Sequence, residues 1–298
     1  MKISIVIPTY NQAGYLEETL RSVLDQKYPE LELIVCDGAS TDGTRDVLDR
    51  YSPQLAWWCS EKDRGQTDAI NKGLRRITGE VWSYLNSDDL LATGSLARVA
   101  QAFADPDVVW VGGVSTMFDE KGERGRIEPV PPQRMRDYLT PWNRPMKYLF
   151  PCSNVCFLRR SLLNAHGTFD EALHYGMDME YYTRLAFAGC TLIRIPEVLG
   201  HWRWHEQSKT MTDGVAYRFL QDEVRIAEHF IDRLPEDERR EVAAELVQMR
   251  KHLAVRRAMH SGKDGKFGRL VREATANPAL VAFRPWLGAV RETLFQKA

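Results

Sequence analysis

The first 85 residues alternate between short apolar runs and segments of helical periodicity, and this alternation constrains the fold more than any other feature. Four apolar runs, at 3–7, 31–36, 55–59 and 81–85, are separated by segments whose apolar residues recur every three or four positions. Apolar runs of this length predict buried strands, and the segments between them predict helices. Such alternation is typical of an α/β fold with a mainly parallel sheet and helices on both faces.

The pattern changes after residue 90. Short strands are predicted at 108–114, 155–158, 191–195 and 198–202, which suggests antiparallel or mixed additions to the first sheet. From residue 215 onward the chain has a helical composition and spacing. We therefore predict a large α/β domain over residues 1–213 and a helical C-terminal extension over residues 214–298.

Composition excludes several classes of protein. The net charge of −1 over 298 residues gives no general attraction to nucleic acid. The five cysteines are odd in number and lack zinc-binding spacing, which is typical of a reducing, cytoplasmic compartment. The chain opens directly on a predicted strand, so we expect no signal peptide, and it has no apolar run of the length that a membrane span needs.

An acidic pair, Asp88 and Asp89, directly follows the predicted strand at 81–85. Ligands of open α/β sheets bind at the carboxyl ends of strands, and hard carboxylate oxygens suit Mg²⁺ or Mn²⁺. The alternative is a solvated turn in which an aspartate caps the next helix. One aspartate fits that alternative well, but two adjacent ones fit it poorly.

A series of short motifs runs in order from residue 3 to about residue 210. They read SIVIPTYN at 4–11, LRSVLDQ at 20–26, DGASTDGT at 37–44, DAINKG at 68–73, NSDD at 86–89, FLRR at 157–160, GTFDE at 167–171 and MDMEYY at 177–182. Each motif is weak alone, but together and in this order they resemble the family 2 glycosyltransferases, which have the GT-A fold.

The resemblance implies a fold, a reaction and a division of labour along the chain. Residues 1–213 would form the GT-A domain, with a nucleotide-binding half at 1–90 and an acceptor-binding half at 91–213. The implied reaction moves a sugar from a nucleotide diphosphate sugar, a UDP-sugar in our interpretation, to a hydroxyl of a saccharide or lipid-linked acceptor. It inverts the anomeric configuration, and it serves polysaccharide or other glycan assembly.

The resemblance also implies which residues hold the nucleotide. Pro8, Thr9 and Asn11 follow the first strand, and Asn11 also lies in the predicted N-cap region of the next helix. Asp37 follows the second strand, where it would accept a hydrogen bond from the imide N–H of uracil, although a plain strand-ending turn is the alternative. Asp68 would lie near the base or ribose, with helix N-capping as its alternative.

By the same resemblance, Asp89 binds Mn²⁺ or Mg²⁺, and Asp88 binds ribose hydroxyls, with the metal as its second candidate ligand. Many relatives have Asp where this chain has Asn86, which removes one charge. His205 would bind the metal or diphosphate, and Arg203 is a candidate for neutralising phosphate charge. A solvated loop is the alternative for both of these later residues.

Asp178 is the residue that the resemblance places beside the acceptor hydroxyl as general base. It precedes a predicted helix, so N-capping is the alternative. Glu180 is the second candidate, although its position directs it elsewhere. Among the tryptophans, Trp142 is the one we expect to face an acceptor sugar, because it lies in an irregular proline-rich segment.

Two other functions and one membrane contact remain open from the sequence. A sugar nucleotidyltransferase needs a glycine-rich basic loop after the first strand, and residues 8–12 supply none. A non-catalytic nucleotide-sugar-binding scaffold is the other alternative. Residues 251–298 hold ten Lys/Arg against three Asp/Glu, so this tail either contacts the inner face of the membrane peripherally or packs as an ordinary helix.

Overall fold

Strands and helices alternate through the first half of the chain, as the sequence predicts. A computed structural model describes residues 1–130, 132–141, 152–206, 208–209, 215–260 and 266–295. The predicted third strand begins two residues late, at Trp57, because a 3-10 turn at Ser52–Gln54 precedes it. The first-half elements are β1 (Ile3–Thr9), α1 (Ala13–Leu24), β2 (Leu31–Asp37), α2 (Thr44–Tyr51), β3 (Trp57–Ser60), α3 (Gln66–Leu74) and β4 (Val81–Tyr84).

The second half extends the same sheet with mixed strands. Its elements are β5 (Leu90–Leu91), α4 (Ser95–Ala102), β6 (Trp110–Asp119), β7 (Gly122–Ile127), β8 (Cys156–Arg159), α5 (Arg160–His166), α6 (Met177–Phe187) and β9 (Leu192–Arg203). Within the described residues the strand order is β3-β2-β1-β4-β8-β6-β9-β5, with β7 paired to β6. Strands β1 to β4 pair in parallel, whereas β8 is antiparallel to both β4 and β6. The two short strands predicted near the end form one strand, β9.

Helices cover both faces of the parallel half, which explains why most residues of its strands are apolar. Every residue of β1 is buried. One face of β1 packs in a core with Leu16 and Leu20 of α1. On the other face, α3 approaches so closely that a Cβ added to Gly73 would lie 2.4 Å from Cγ1 of Val6. Strands buried on both faces are characteristic of parallel sheets.

The carboxyl ends of the parallel strands bring the predicted site residues to one edge. Thr9 at the end of β1 is in register with Asp37 at the end of β2. On the other side of β1, Val6 is in register with Tyr84, the last residue of β4. The acidic turn follows β4 directly, so it emerges at the same edge, where open α/β sheets bind their ligands.

A buried carboxylate, Glu32 of β2, ties together the opposite end of the sheet. It accepts hydrogen bonds from Oγ of Ser4 (2.6 Å) and from the amide and hydroxyl of Thr78 (2.7 and 2.6 Å), and it pairs with Nζ of Lys2 at 2.7 Å. Burial alone would raise the pKa of Glu32, but these donors outweigh burial and lower the pKa to about 2. The ionised form of Glu32 therefore stabilises the fold.

We expect Glu32→Gln to lower the free energy of unfolding at pH 7 by about 2 to 3 kcal/mol. The pKa of Glu32 is lower in the folded state than its ordinary value of 4.5. Its contribution to the free energy of unfolding is therefore complete above pH 4.5 and is lost as the pH falls toward 2. Urea unfolding of both proteins at pH 7 and pH 3 measures the effect. The difference between them should shrink at pH 3, and an equal difference at both pH values would contradict the assignment.

Contacts divide the chain into two compact units. The first contains Met1–Pro132 and Arg144–Trp204, and the second contains Gln133–Asn143 and His205–Ala298. The division thus falls between residues 204 and 205 instead of the predicted 213 and 214. In the parts of the chain that are described, no helix is long and apolar enough to cross a bilayer. The helices of the second unit are α7 (Val215–Phe230), α8 (Glu236–Met259), α9 (Lys266–Ala276) and α10 (Arg284–Phe295).

Residues 133–141 join the second unit through ion pairs with α8. The amide of Arg136 donates to Glu238 at 2.7 Å, and its guanidinium contacts Glu241 and Glu245. Arg134 pairs with Glu238 at 3.3 Å and with Glu241 at 3.1 Å. These long-range charge contacts explain why a loop from the middle of the chain belongs to the helical unit.

Candidate active site

The acidic pair forms a tight turn directly after β4. The Asp89 amide donates to the Asn86 carbonyl at 3.1 Å, which closes the turn. Asp89 is 1% exposed; its Oδ1 accepts from the Arg203 amide (3.0 Å) and its Oδ2 from Nδ2 of Asn86 (3.2 Å). Burial, with the neighbouring Asp88 charge, raises the pKa of Asp89 well above its usual range. A bound cation would relieve this cost of ionising the pair.

Two helices brace the acidic turn. The hydroxyl of Thr19 in α1 donates to the Ser87 carbonyl at 2.9 Å, and Nε2 of Gln66 in α3 donates to Oδ1 of Asn86 at 2.7 Å. These contacts explain why asparagine suits position 86. An aspartate there could not donate to Asp89, and it would add a third carboxylate to the turn.

The oxygen atoms of the turn suit a divalent ion such as Mg²⁺ or Mn²⁺. Each carboxylate oxygen of Asp89 accepts one hydrogen bond and retains a second lone pair. Over the described ranges, no three His, Cys, Asp or Glu side chains are grouped so that they alone would hold an ion. An ion here therefore needs oxygens from a diphosphate or from water, as is usual for Mg²⁺ held by one or two carboxylates. Asp89 and Asp88 fit that arrangement.

The predicted nucleotide-binding residues lie side by side at the ends of β1 and β2. Asp37 is 1% exposed, and its carboxylate accepts from the amide and hydroxyl of Ser40 (3.1 and 2.5 Å) and from the hydroxyl of Ser60 (2.6 Å). Both oxygens of the carboxylate are engaged, because the Ser40 amide also lies 3.4 Å from Oδ1. Thr9 is buried, and its hydroxyl has no hydrogen-bond partner in the described part of the chain. Pro8, also buried, precedes it.

Asn11 connects the loop after β1 to the loop after β2. Its backbone is left-handed, with φ at 51°, and its Oδ1 accepts from the Thr41 amide at 2.9 Å. The prediction that Asn11 caps α1 is therefore wrong, because its side chain is directed to the neighbouring loop. Asp42 takes this role, since its carboxylate accepts from the Ala13 amide and from the Thr44 amide, each at 3.0 Å. One side chain thus caps the first turns of both α1 and α2.

Asp68 lies inside α3, three residues past the N-cap position that the capping alternative requires. The N-cap is Gly65, and Oδ2 of Asp68 accepts from the Arg64 amide at 3.1 Å. The Arg64 guanidinium pairs with Oδ1 of Asp68 at 3.2 Å. These hydrogen bonds from Arg64 lower the pKa of Asp68.

Asp63 belongs to the same edge, and the sequence reasoning missed it. A Cβ built on Gly38 would lie 2.7 Å from Oδ2 of Asp63, so this carboxylate lies directly against the loop after Asp37. Burial raises the pKa of Asp63, and the charges of Asp68 and Asp37 add to the effect. The signal was present in the sequence, because Asp63 comes shortly after the third strand, as Asp37 comes at the end of the second.

Asp178 lies in the first turn of α6, whose N-cap is Gly176. Asp178 therefore lies inside the helix, whereas the sequence predicted that the helix begins after it. Its Oδ1 accepts from the Met179 amide at 2.8 Å, and its Oδ2 lies 3.5 Å from the hydroxyl of Tyr84. A helix N-terminus favours a negative charge at this position. The structure thus presents a carboxylate with one oxygen fixed by the backbone and the other beside Tyr84.

Other contacts fix α6 and explain why Glu180 is not equivalent to Asp178. Glu180 pairs with Arg184 through both carboxylate oxygens, at 3.0 and 2.5 Å, and Arg184 also donates to the Thr168 carbonyl at 3.1 Å. Before the helix, Asn71 of α3 exchanges hydrogen bonds with the backbone of Phe169 at 2.9 and 3.1 Å. Glu180 is thus committed to an ion pair that supports the fold.

The structure brings Asp89 and Asp178 into one neighbourhood. Burial raises the pKa of Tyr84, and the charges of Asp178 and Asp89 raise it further. Burial also raises the pKa of the Cys152 thiol, and the charges of the same two carboxylates raise it further. The carboxylates of the acidic turn and of the first turn of α6 therefore raise the pKa of the same two side chains.

Three further predicted residues have different outcomes. His205 begins the second unit, and its role as a metal ligand stays a prediction. Trp142 lies outside the described residues. The guanidinium of Arg203, offered by the sequence as a phosphate-binding group, instead contacts Glu18 and the Asp88 carbonyl.

Comparison with known proteins places the chain in a family. Residues 4–167 match the family described as glycosyl transferase family 2. The putative teichuronic acid biosynthesis glycosyltransferase TuaG of Bacillus subtilis is 41% identical over 90 residues, which are 29% of this chain and 36% of TuaG. The GalNAc(5)-diNAcBac-PP-undecaprenol beta-1,3-glucosyltransferase of Campylobacter jejuni is 31% identical over 133 residues, 41% of this chain and 43% of that protein. The chain spans about a third of the length of the first curated relatives that it matches.

Solved structures share the fold. S. aureus TarS 1–349 in complex with UDP-GlcNAc superposes with a TM-score of 0.61 at 20% identity, over 98% of this chain and 80% of that one. The mannosyltransferase PcManGT from Pyrobaculum calidifontis, in complex with GDP-Man and Mn²⁺, has a TM-score of 0.61 at 24% identity. The match covers 100% of this chain and 88% of that one. With the GT-A fold in place and the family match covering more than half of its residues, the chain belongs to glycosyl transferase family 2.

Proposed function

We propose that this protein is an inverting glycosyltransferase that moves a sugar from a nucleotide diphosphate sugar to an acceptor hydroxyl. The supporting observation is that Oδ2 of Asp178 lies 3.5 Å from the hydroxyl of Tyr84, the last residue of the strand that leads into the acidic turn. Glycosyl transfer needs charge neutralisation at the leaving diphosphate and a proton acceptor at the attacking hydroxyl, both within one site. The two carboxylates supply one group for each task.

UDP is the proposed nucleotide of the donor. Asp37 is proposed to accept a hydrogen bond from the imide N–H of uracil, and a buried donor without a partner costs about 1–3 kcal/mol. Guanine also presents a ring N–H to a carboxylate, and PcManGT binds GDP-Man whereas TarS binds UDP-GlcNAc. Pro8, Thr9 and Asn11 are proposed to line the base and ribose. Asp68 is proposed to contact the base or the ribose. Asp88 is proposed to contact the ribose hydroxyls.

Asp89 is the proposed principal ligand of Mn²⁺ or Mg²⁺, assisted by Asp88 and by His205. When bound, such an ion acts as a Lewis acid that stabilises charge on the leaving diphosphate. The chain's own contribution is to hold the Asp89 carboxylate in a fixed turn, through the Arg203 amide at 3.0 Å and Nδ2 of Asn86 at 3.2 Å. PcManGT, which shares the fold, was solved with Mn²⁺.

Asp178 is the proposed general base. The acceptor oxygen would bond to the anomeric carbon as the carbon–oxygen bond to the diphosphate breaks, and the hydroxyl proton would pass to a carboxylate oxygen of Asp178. Attack opposite the leaving group in a single displacement inverts the anomeric configuration. The Met179 amide fixes Oδ1 at 2.8 Å, which orients the carboxylate for this transfer.

The proposed acceptor is a saccharide or a lipid-linked saccharide in glycan assembly. TuaG is named for teichuronic acid biosynthesis, and the Campylobacter relative is named for an undecaprenol-linked acceptor. Trp142 remains our candidate for stacking on an acceptor sugar, because aromatic rings bind the apolar faces of sugars well.

A donor panel tests the proposed reaction. UDP-, GDP- and dTDP-sugars are incubated with saccharide acceptors and either Mn²⁺ or EDTA, followed by assay of nucleoside diphosphate and NMR of the product's anomeric centre. We expect release of nucleoside diphosphate that depends on both the acceptor and the metal. The product should have the inverted anomeric configuration. Pyrophosphate release from a nucleoside triphosphate and a sugar phosphate would indicate a nucleotidyltransferase, and binding without turnover would indicate a scaffold. A retained configuration would exclude the single displacement.

We also propose that the protein is cytoplasmic and that α10 rests peripherally on anionic lipid at the inner membrane face. Arg284, Leu287 and Arg291 lie on one exposed face of α10, and Leu287 is 49% exposed. Val281, which is 52% exposed, precedes them. A helix face that combines arginine with apolar side chains suits a negatively charged lipid surface.

The double change Arg284→Ser/Arg291→Ser is expected to reduce binding to anionic vesicles by about tenfold or more, because each basic residue near such a surface contributes about 1 kcal/mol. Flotation with phosphatidylglycerol vesicles measures the binding. The control Arg45→Ser/Arg75→Ser removes two exposed arginines from the first unit and should float normally. Failure of the unaltered protein to float with these vesicles would refute the membrane contact.

A further inference from the structure

Arg203, the last residue of β9, donates to both members of the acidic pair. Its backbone amide lies 3.0 Å from Oδ1 of Asp89, and its Nε lies 2.9 Å from the carbonyl oxygen of Asp88. One hydrogen bond holds the side chain of the buried aspartate, and the other holds the backbone that carries both carboxylates. A single residue thus restrains the turn at two points.

The guanidinium of Arg203 is itself held from three sides. One terminal nitrogen lies 2.5 Å from Oε2 of Glu18 on α1. The charged group lies 4.5 Å from the ring centre of Phe118 on β6 and 5.2 Å from that of Tyr15 on α1. Contacts of this kind orient the planar fork of arginine and favour a fixed side chain. Arginine that binds a substrate phosphate must instead direct that fork into the binding site.

Strand register explains how Arg203 reaches the turn. Arg203 is paired with Phe118 in the parallel β6–β9 ladder, and His201 is paired with Leu90 in the antiparallel β5–β9 ladder. Leu90 directly follows Asp89. The acidic pair is therefore held between the short pairing of β5 with β9 and the two hydrogen bonds from Arg203.

We propose that Arg203 is a positioning residue that holds Asp88 and Asp89 in the geometry that binds the metal, and that it does not contact the diphosphate. The inference rests on the proposed function and adds a residue outside the acidic motif to it. Partners that orient metal ligands typically contribute about 10- to 100-fold to metal affinity. Lysine at this position keeps the charge and the backbone amide, but it lacks the donor at Nε and the planar fork.

Arg203→Lys tests the proposal in calorimetric titrations of UDP and GDP, each with and without Mn²⁺. For the nucleotide that the unaltered protein binds, we expect the variant to need about tenfold more Mn²⁺ for half-maximal binding. Binding without metal should be unchanged. Glu18→Gln, which leaves both hydrogen bonds to the turn in place, should cause a smaller change in the same direction. The matched control is Arg124→Lys, because the Arg124 guanidinium likewise pairs with a carboxylate, that of Asp119, and lies over an aromatic ring.

Each outcome separates the possibilities. Equal weakening with and without Mn²⁺ would show that Arg203 contacts the nucleotide directly, and it would overturn the positioning role. A lowered melting temperature with unchanged Mn²⁺ dependence would show a purely structural role and would also overturn it. If the unaltered protein shows no metal-dependent nucleotide binding, the proposed function fails first and the inference fails with it.

Discussion

Asp89→Asn is expected to abolish metal-dependent nucleotide binding and to slow transfer by about 100- to 1,000-fold. The change keeps the shape of the side chain but removes the charge that the proposed metal requires. The amide loses one of the two hydrogen bonds that the carboxylate accepts. The fold should tolerate this loss, because burial and the Asp88 charge raise the pKa of Asp89 and make its ionised form costly in the absence of a cation. The melting temperature without metal should be unchanged or higher, and more so as the pH rises.

Calorimetry with Mn²⁺ and a thermal melt of the same sample measure both effects. Asp49→Asn is a suitable control, since Asp49 is exposed on α2 and should change neither property. Retained Mn²⁺-dependent binding in Asp89→Asn would remove Asp89 from the metal site. A collapse of the melting temperature would mean that the buried carboxylate supports the fold, which is contrary to the electrostatic argument.

Asp178→Asn is expected to lower kcat by about 10²- to 10⁴-fold and to leave nucleotide binding unchanged with and without Mn²⁺. The physical reason is that Asp178 would act on the acceptor proton, whereas the proposed nucleotide-binding residues lie at the ends of β1, β2 and β4. Steady-state kinetics and calorimetry on one preparation separate the two quantities.

Glu180→Gln is the matched control for Asp178, because it changes a carboxylate two residues further along α6. Glu180 is paired with Arg184, so the control should lower thermal stability while the rate per folded molecule is kept. If Asp178→Asn weakened nucleotide binding as much as Asp89→Asn does, Asp178 would lose its role as base.

The sequence predicted the parts of the site that follow from local pattern. Alternating periodicity predicted the parallel half of the sheet, and polar residues after apolar runs predicted that Asp37 and the acidic pair share an edge. These inferences work because the carboxyl ends of parallel strands meet at one edge. Asp178 depended on the family motif, since no local pattern brings the start of α6 toward Tyr84.

The features that the sequence did not predict depend on long-range contacts. Asn11 has the chemistry of an N-cap, but its left-handed backbone directs it to Thr41, and Asp42 from the next loop caps α1 instead. The sequence predicted that the Arg203 cation is available to bind phosphate. Its partner Glu18 is far away along the chain, so no local pattern in the sequence indicates their ion pair. Residues 133–141 read as an irregular loop, and their ion pairs with α8 form only in the folded chain.

Calorimetric titration of UDP, GDP and dTDP, each with and without Mn²⁺, tests the central claim most directly. We predict tight binding of UDP that requires Mn²⁺, because Asp37 would accept from the uracil imide and Asp89 would hold the ion beside the diphosphate. Preference for GDP or dTDP would keep the metal site and overturn the UDP assignment. Nucleotide binding that is indifferent to Mn²⁺, or absent for all three, would contradict a metal-dependent transferase built on the acidic turn.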